Sequence, residues 1–434
     1  MNDNETLFKL PSHIENEEKS DFRLGKPRLK TAARTQVEMT FGCLDDFLVE
    51  DHKARKVWRY VEMLDLSLIL GKIKAVESRP GASAIDPKIL LSIWLYAFIE
   101  GIISAKVINR YCKEHIAFKW LCGGVSVNEH TISDFRSNHG EALDDLLTQS
   151  IGVLSHQGLI KIEKVAQDGM KVKAHASKSS FRREKTLKEH LKKAKEHVEL
   201  LKKSLAENPG GMSKQQEAAK KRAAEEDVQR STQAIEELKK LRQQKINKAT
   251  KRGESFTQKD KKKVRASKTD PEARIMKMPN SGFSPAYNIQ FATETTEKVI
   301  VGVTATNAGH DYGQLAPMQD QIKKRLGYSP SDILADPGFL YYKDVEDVAN
   351  TSRVYIPCET IKTDKSPALT EIKNRMETAE AKEIYKERAS TAEFVNARTK
   401  TRGLTQFLVA GLAKVQVVAT LFAIGNNMLV WMSK

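Results

Sequence analysis

Val165-Ala166-Gln167-Asp168-Gly169-Met170-Lys171-Val172-Lys173-Ala174 alternates apolar and polar side chains with the two-residue period of a strand, breaks at Gly169, and alternates again. An aspartate sits near its centre, where desolvating a carboxylate is costly without a positive partner. A second short apolar run, Asp332–Ala335, leads directly into Asp336-Pro337-Gly338, so the C-terminal end of that strand also delivers a carboxylate. Either aspartate alone is also what a strand end or a helix cap would carry.

Outward from these two runs, Ala286–Thr293 and Lys298–Ala305 read as paired strands joined by a Glu294–Glu297 turn. A helix over Tyr312–Leu326, another from about Tyr341 to Ala349, a strand at Arg353–Ile356 and long helical segments from Pro367 to Lys434 complete the pattern. The expected fold class is therefore α/β, a mixed sheet with flanking helices. Residues 181–263 interrupt it with a long insertion of Lys, Glu, Ala, Leu and Gln, all strong helix formers. Asn208-Pro209-Gly210-Gly211 divides the insertion, which predicts an antiparallel helical hairpin. Leu187, Leu191, Ala194, Val198, Leu201 and Leu205 form its seam, loosely faced by Ala218, Ala223, Val228, Ile235, Leu238 and Leu241. Its basic residues either touch DNA or form a solvated face.

Residues 1–40 are expected to be a flexible N-terminal arm, and residues 41–160 an all-α domain. Within it, Val57–Leu70, Ile89–Ile103 and Val107–Leu121 carry apolar residues at helical spacing, with Pro80-Gly81 between the first two. Asp86-Pro87 is a helix start, and Gly123-Gly124 a stop. Asn128 precedes a short helix over Glu129–His139, in which Ile132 and Phe135 face inward and Arg136 outward. Short helices joined by tight turns fit either a DNA-reading helix-turn-helix or an ordinary bundle. Residues 161–434 form the expected catalytic domain.

The chain has 434 residues, with 72 Lys+Arg against 56 Asp+Glu, a formal net charge of +16. That excess points to a polyanionic partner, with DNA first. The four cysteines form no Cys-x-x-Cys pair, so a zinc ribbon is not indicated. Met1 to Ser20 is polar, unlike a secretory signal. Two apolar runs, Ile89–Ile103 and Leu404–Trp431, carry Glu100 in the first and Gln406, Lys414, Gln416, Asn426 and Asn427 in the second. Both read as core helices, so no membrane is expected and the cytoplasm is the expected compartment. Phosphate-cradling Gly-x4-Gly-Lys and nucleophilic Gly-x-Ser-x-Gly motifs are missing from the sequence.

The run Val165–Ser177, VAQDGMKVKAHAS, resembles the first-aspartate strand of bacterial insertion-sequence transposases of the Asp-Asp-Glu type. Ile333–Leu340, ILADPGFL, resembles their second-aspartate strand, and Tyr385–Lys400, YKERASTAEFVNARTK, has the Y-x2-R-x4-E-x6-K spacing of their glutamate helix. Ile85–Arg136 is similar to their N-terminal helical region, notably at His130-Thr131-Ile132-Ser133-Asp134-Phe135-Arg136. The sequence departs from the pattern at Ala410, where relatives usually carry arginine, and at Gly425, where histidine is common before asparagine.

The resemblance implies a ribonuclease H-like catalytic fold in which Asp168, Asp336 and Glu393 converge as catalytic and metal-binding residues. Hard carboxylate oxygens suit Mg2+, two ions being expected with Mn2+ as a substitute, for in-line phosphoryl transfer. Arg136, Arg388 and Lys400 are the expected DNA contacts, and a homo-oligomer on DNA the expected assembly. The implied activity is cleavage at element ends followed by strand transfer to target DNA. The alternative is a catalytically inactive transposase-derived DNA-binding protein.

Overall fold

The computed structural model describes residues 41–75, 83–207, 213–279, 282–358 and 366–434. The arm expected over residues 1–40, the Pro80-Gly81 separator and the hairpin turn at 208–211 lie outside the described residues.

Among the described residues, seven helices precede the sheet: α1 (Lys53–Glu62), α2 (Ser67–Leu70), α3 (Pro87–Ile99), α4 (Ala105–Glu114), α5 (Ile116–Cys122), α6 (Glu129–Asn138) and α7 (Gly140–His156). Their boundaries follow local chemistry. Asp86 accepts from the Lys88 amide at 2.8 Å, with Pro87 at the first helical position. Asn128 caps α6 through the Thr131 amide at 2.8 Å, and Gly123 ends α5 in the left-handed conformation. The helix expected over Val107–Leu121 is instead two, because His115 leaves the helical region and caps α5 by accepting from the Ala117 amide at 3.2 Å.

Arg136 does not face outward as expected. It is only 6% exposed, its guanidinium 4.9 Å from the Trp94 ring centroid and donating to the Ile103 carbonyl at 2.8 Å. Arg136 lies four residues after Ile132, on the face that Ile132 buries. Burial lowers its pKa to about 10.

The remainder runs β1 (Lys164–Lys173), β2 (Phe181–Arg182), α8 (Glu184–Glu207), α9 (Lys214–Lys251), α10 (Gln258–Lys263), β3 (Ala266–Ser267), β4 (Arg274–Lys277), β5 (Phe283–Glu294), β6 (Ile300–Thr306), α11 (Leu315–Leu326), β7 (Asp332–Leu334), α12 (Tyr342–Ala349), β8 (Arg353–Tyr355), α13 (Pro367–Glu377), α14 (Ala379–Thr401) and α15 (Leu412–Met432). The main sheet is mixed, as expected. Its order is β6-β5-β1-β7-β8, and β4 shares with β6 the edge of β5 that faces away from β1. β5 is antiparallel to β1, β4 and β6, whereas β7 and β8 run parallel to β1. No break occurs at Gly169, which keeps its place in the ladder opposite Gln290.

The outer edge of β6 is closed by side chains. Asn427 of α15 accepts from the Ile300 amide at 2.8 Å and donates to the Ile300 carbonyl at 2.9 Å. Gln416 accepts from Ala305 at 2.6 Å, and Gln321 of α11 from Val303 at 2.9 Å. Unpaired strand edges invite further pairing, and these amides satisfy this one. They are also why α15, long and apolar enough by composition to cross a membrane, carries polar residues; most of the helix is buried in the protein. Gly425 has its own reason, because a Cβ there would lie 2.6 Å from the Phe98 ring.

The insertion forms the expected antiparallel pair, α8 and α9, with α10 and the small β2–β3 ribbon at its base. Leu187, Ala234, Ile235, Leu238, Val264 and Ala266 make a separate small core there. The seam weakens along the arm: Leu187 and Ala194 are buried, whereas Val198, Leu201 and Leu205 are only half-buried.

Candidate active site

Parallel pairing brings the two sequence-predicted aspartates together. Lys164, Val165 and Ala166 pair with Asp332, Ile333 and Leu334, after which β7 ends while β1 continues. Asp168 therefore lies beside the turn that holds Asp336. That turn is a short 3-10 helix over Pro337–Phe339, and Asp336 caps it by accepting from the Gly338 amide at 2.8 Å.

Helix α14 covers this edge. The Arg388 guanidinium lies 3.5 Å from Asp168 Oδ1 and 3.5 Å from Asp336 Oδ2, and Asn396 donates to Asp168 Oδ2 at 2.9 Å. Burial raises the Asp168 carboxyl above its ordinary range and Asp336 adds to the rise, while Arg388 and Asn396 pull it back. Burial, with Asp336 and Asp168 behind it, likewise raises the Tyr385 hydroxyl against the pull of Arg388. Two carboxylates and a tyrosine thus surround one guanidinium at a place where β1 has lost its β7 neighbour. The helix is tied down nearby, where Glu387 pairs with Lys164 and accepts from Thr295 at 2.7 Å.

Glu393 and Lys400 are also on α14, and both are exposed. Glu393 follows buried Ala392 and precedes Asn396 by three residues, which makes it a surface neighbour of the side chain that touches Asp168. Among the described residues no three His, Cys, Asp or Glu side chains are gathered into one metal-ligand set. The sequence motifs thus bring Asp168, Asp336 and Arg388 together, leave Glu393 and Lys400 on the exposed side of α14, and put Arg136 in the helical core.

A third carboxylate, Asp311, was missed by sequence reading. It lies in the loop between β6 and α11, and its Oδ1 accepts from Asn288 at 2.8 Å and from Gln290, both fully buried on β5. That loop is pinned. Gln167 donates to the Gln314 carbonyl at 2.8 Å, and Asp344 of α12 accepts from the first two amides of α11 at 2.8 and 2.9 Å. Tyr312, next to Asp311, packs on Tyr341 with ring centroids 4.4 Å apart, joining the loop to the segment after Asp336. The available signal was the pair Asn288 and Gln290, two amides on one face of an otherwise apolar strand.

The donor set suits a divalent cation. Asp168 and Asp336 offer hard oxygens that already converge on a cationic group, the ligand type that Mg2+ and Mn2+ prefer.

Two family models match the chain. The first, described as Transposase domain (DUF772), matches residues 42–138; the second, described as Transposase DDE domain, matches residues 358–431. Neither covers the segment containing Asp168, Asp311 and Asp336. No curated protein and no solved structure matches. The first match spans the helices α1 to α6 and the second spans the helix bearing Tyr385, Arg388, Glu393 and Lys400, in the order their motifs occupy, and together they support an insertion-sequence transposase of the Asp-Asp-Glu type.

Proposed function

We propose that the protein cleaves DNA at the ends of its element and joins the freed 3′-hydroxyl to target DNA at the edge formed by β1, β7 and α14. The observation that carries this reading is the meeting of Asp168 and Asp336, from motifs far apart in sequence, on the one guanidinium of Arg388 at 3.5 Å each. The strand order β6-β5-β1-β7-β8, with β5 reversed, supports a ribonuclease H-like core.

Asp168 and Asp336 would hold Mg2+ or Mn2+, two ions in all. When bound, such ions supply Lewis-acid stabilisation of the attacking and leaving oxygens of an in-line displacement. The protein's own groups do the rest. Asn396 fixes the orientation of the Asp168 carboxylate, and the Gly338 amide that of Asp336. Arg388 places a positive charge between two close carboxylates and presents a planar donor fork to a phosphate. Glu393 is assigned the third ligand position because it is the accessible carboxylate next to Asn396 on the covering helix. Lys400, exposed one helix stretch further on, is assigned a phosphate contact.

We assign residues 41–160 to recognition of the element ends and residues 161–434, with the hairpin at 181–263, to catalysis. The net charge of +16 supplies sequence-independent attraction to the DNA backbone, and assembly as a homo-oligomer would bring two ends together. The test is a strand-transfer assay with a pre-cleaved element end, supercoiled target and Mg2+. Joined products support the proposal. Nicking of an intact end without joining would make the protein a nuclease on the same fold instead.

A further inference from the structure

We propose that Asp311 is a further acidic member of this site, its Oδ2 supplying an oxygen to a divalent cation shared with Asp336; the proposal rests on reading Asp336 as a metal ligand. Three features of the structure single Asp311 out.

Gly169 is the first. Its backbone is not in the left-handed region, so its conformation does not require glycine. The space does. A Cβ there would lie 2.1 Å from Asp311 Oδ1, 2.5 Å from Gln290 Nε2 and 2.9 Å from Asn288 Oδ1. Glycine inside a strand is less favourable than alanine, because it gives up more backbone freedom on folding. Here it admits a carboxylate from a distant loop against the strand that carries Asp168.

The second is the group of buried amides around Asp311. Asn288 and Gln290 are fully buried and both donate to Asp311 Oδ1, while Gln167 donates to Gln290 at 3.3 Å. With the Asn288 NH2 donating to Asp311, its own Oδ1 is buried and without a hydrogen-bond partner, beside the same Gly169 position that Asp311 Oδ1 approaches. An orphaned buried acceptor beside a carboxylate is an oxygen that a cation or a water molecule would satisfy.

The third is where the other carboxylate oxygen goes. A Cβ on Gly338 would have Asp336 Oδ1 at 2.9 Å and Asp311 Oδ2 at 3.8 Å, so both oxygens face one small space at the start of the turn. Arg388 is on the other oxygen of Asp336. Three carboxylates with one guanidinium leave an excess of negative charge beside Asp336, and hard oxygens at such a place take a divalent cation.

The experiment is a Mn2+ titration of the full-length protein without DNA, reading free Mn2+ by electron paramagnetic resonance, for wild type, Asp311→Asn and Asp336→Asn. Asparagine at 311 keeps an oxygen for Asn288 and Gln290 and removes only the charge directed at Asp336. Asp311→Asn is expected to weaken Mn2+ binding about 10–100-fold. Wild-type binding by Asp311→Asn together with loss in Asp336→Asn would overturn the proposal and leave Asp311 as a clasp for its loop. Wild-type binding by both would remove the metal reading of Asp336, and this proposal with it. Should Asp311→Asn not fold, hydrogen exchange of residues 307–314 in the wild type serves instead: slowing by Mn2+ is expected, and no change overturns the proposal.

Discussion

The hairpin of α8 and α9 and the sheet edge at Asp168 are both rich in charge, and they use it in opposite ways. Along the hairpin, Lys202 pairs with Glu199 at 3.0 Å and Lys192 with Glu196 at 3.8 Å, each between neighbours on one exposed helix face. Such pairs gain little over hydration. At the sheet edge few ionisable groups are present, but each is partly desolvated and answers to several others from separate elements: Asp168 to Arg388, Asp336 and Asn396 at once. Exposed charge of one sign gives a diffuse attraction to a polyanion, whereas partnered, half-buried charge from distant parts of the chain is the kind of cluster in which perturbed functional groups are found.

Substitutions on the two sides should differ accordingly. Gly169→Ala should have the largest effect on the folded state, since its Cβ would overlap Asp311, Gln290 and Asn288 together. Overpacking of this kind costs about 1–3 kcal/mol, read by urea unfolding, and nicking should fall with it. Unchanged stability would mean that the Asp311 loop yields freely and that the edge is less rigid than its hydrogen bonds imply.

Arg388→Ala should act on pH dependence. Arg388 opposes the rise that burial and Asp336 impose on Asp168, so removing it moves the Asp168 carboxyl further up. A reaction that needs that carboxylate ionised then loses activity on acidification at a higher pH than in the wild type. The check is the acidic limb of the pH–rate profile of nicking. An unmoved limb would detach Arg388 from Asp168 and weaken the contrast with the hairpin.

Lys192→Ala, on the hairpin, should have the smallest effect. The melting temperature should stay within about 2 °C of wild type, as expected for an exposed pair. A larger drop would show that the hairpin's charges are organised rather than solvated.

Much of this contrast was legible in the sequence, for reasons that vary by residue. Asp168 and Asp336 stood out because each interrupts or ends an apolar run, and parallel pairing then brought them together. β1, β5 and β6 were legible from alternation and pairing, β7 as a short apolar run and β8 as a short strand, whereas β4 was not; the hairpin was legible from its composition. Asp311 was not legible, because it lies in a polar loop where an aspartate is ordinary, and its meaning comes from Asn288, Gln290 and Gly169 on two other strands. At Arg136 residue type and position point opposite ways: a charge suggests an outward side chain, but its spacing from Ile132 puts it on the buried face, where Trp94 and the Ile103 carbonyl accommodate it. Gly425, a departure from relatives in sequence, is explained only by the Phe98 ring against it.

The central claim is that Asp336 serves the chemistry and the helical region serves recognition. Asp336→Asn tests it most directly, by Mg2+-dependent nicking of an element-end fragment beside a gel-shift on the same fragment, with circular dichroism to confirm folding. Asparagine keeps the shape and can still accept from Gly338, but it removes the negative charge. Nicking should fall about a hundredfold or more, the scale of losing transition-state charge stabilisation, while end binding stays near wild type. Wild-type nicking by a folded Asp336→Asn protein would contradict the account.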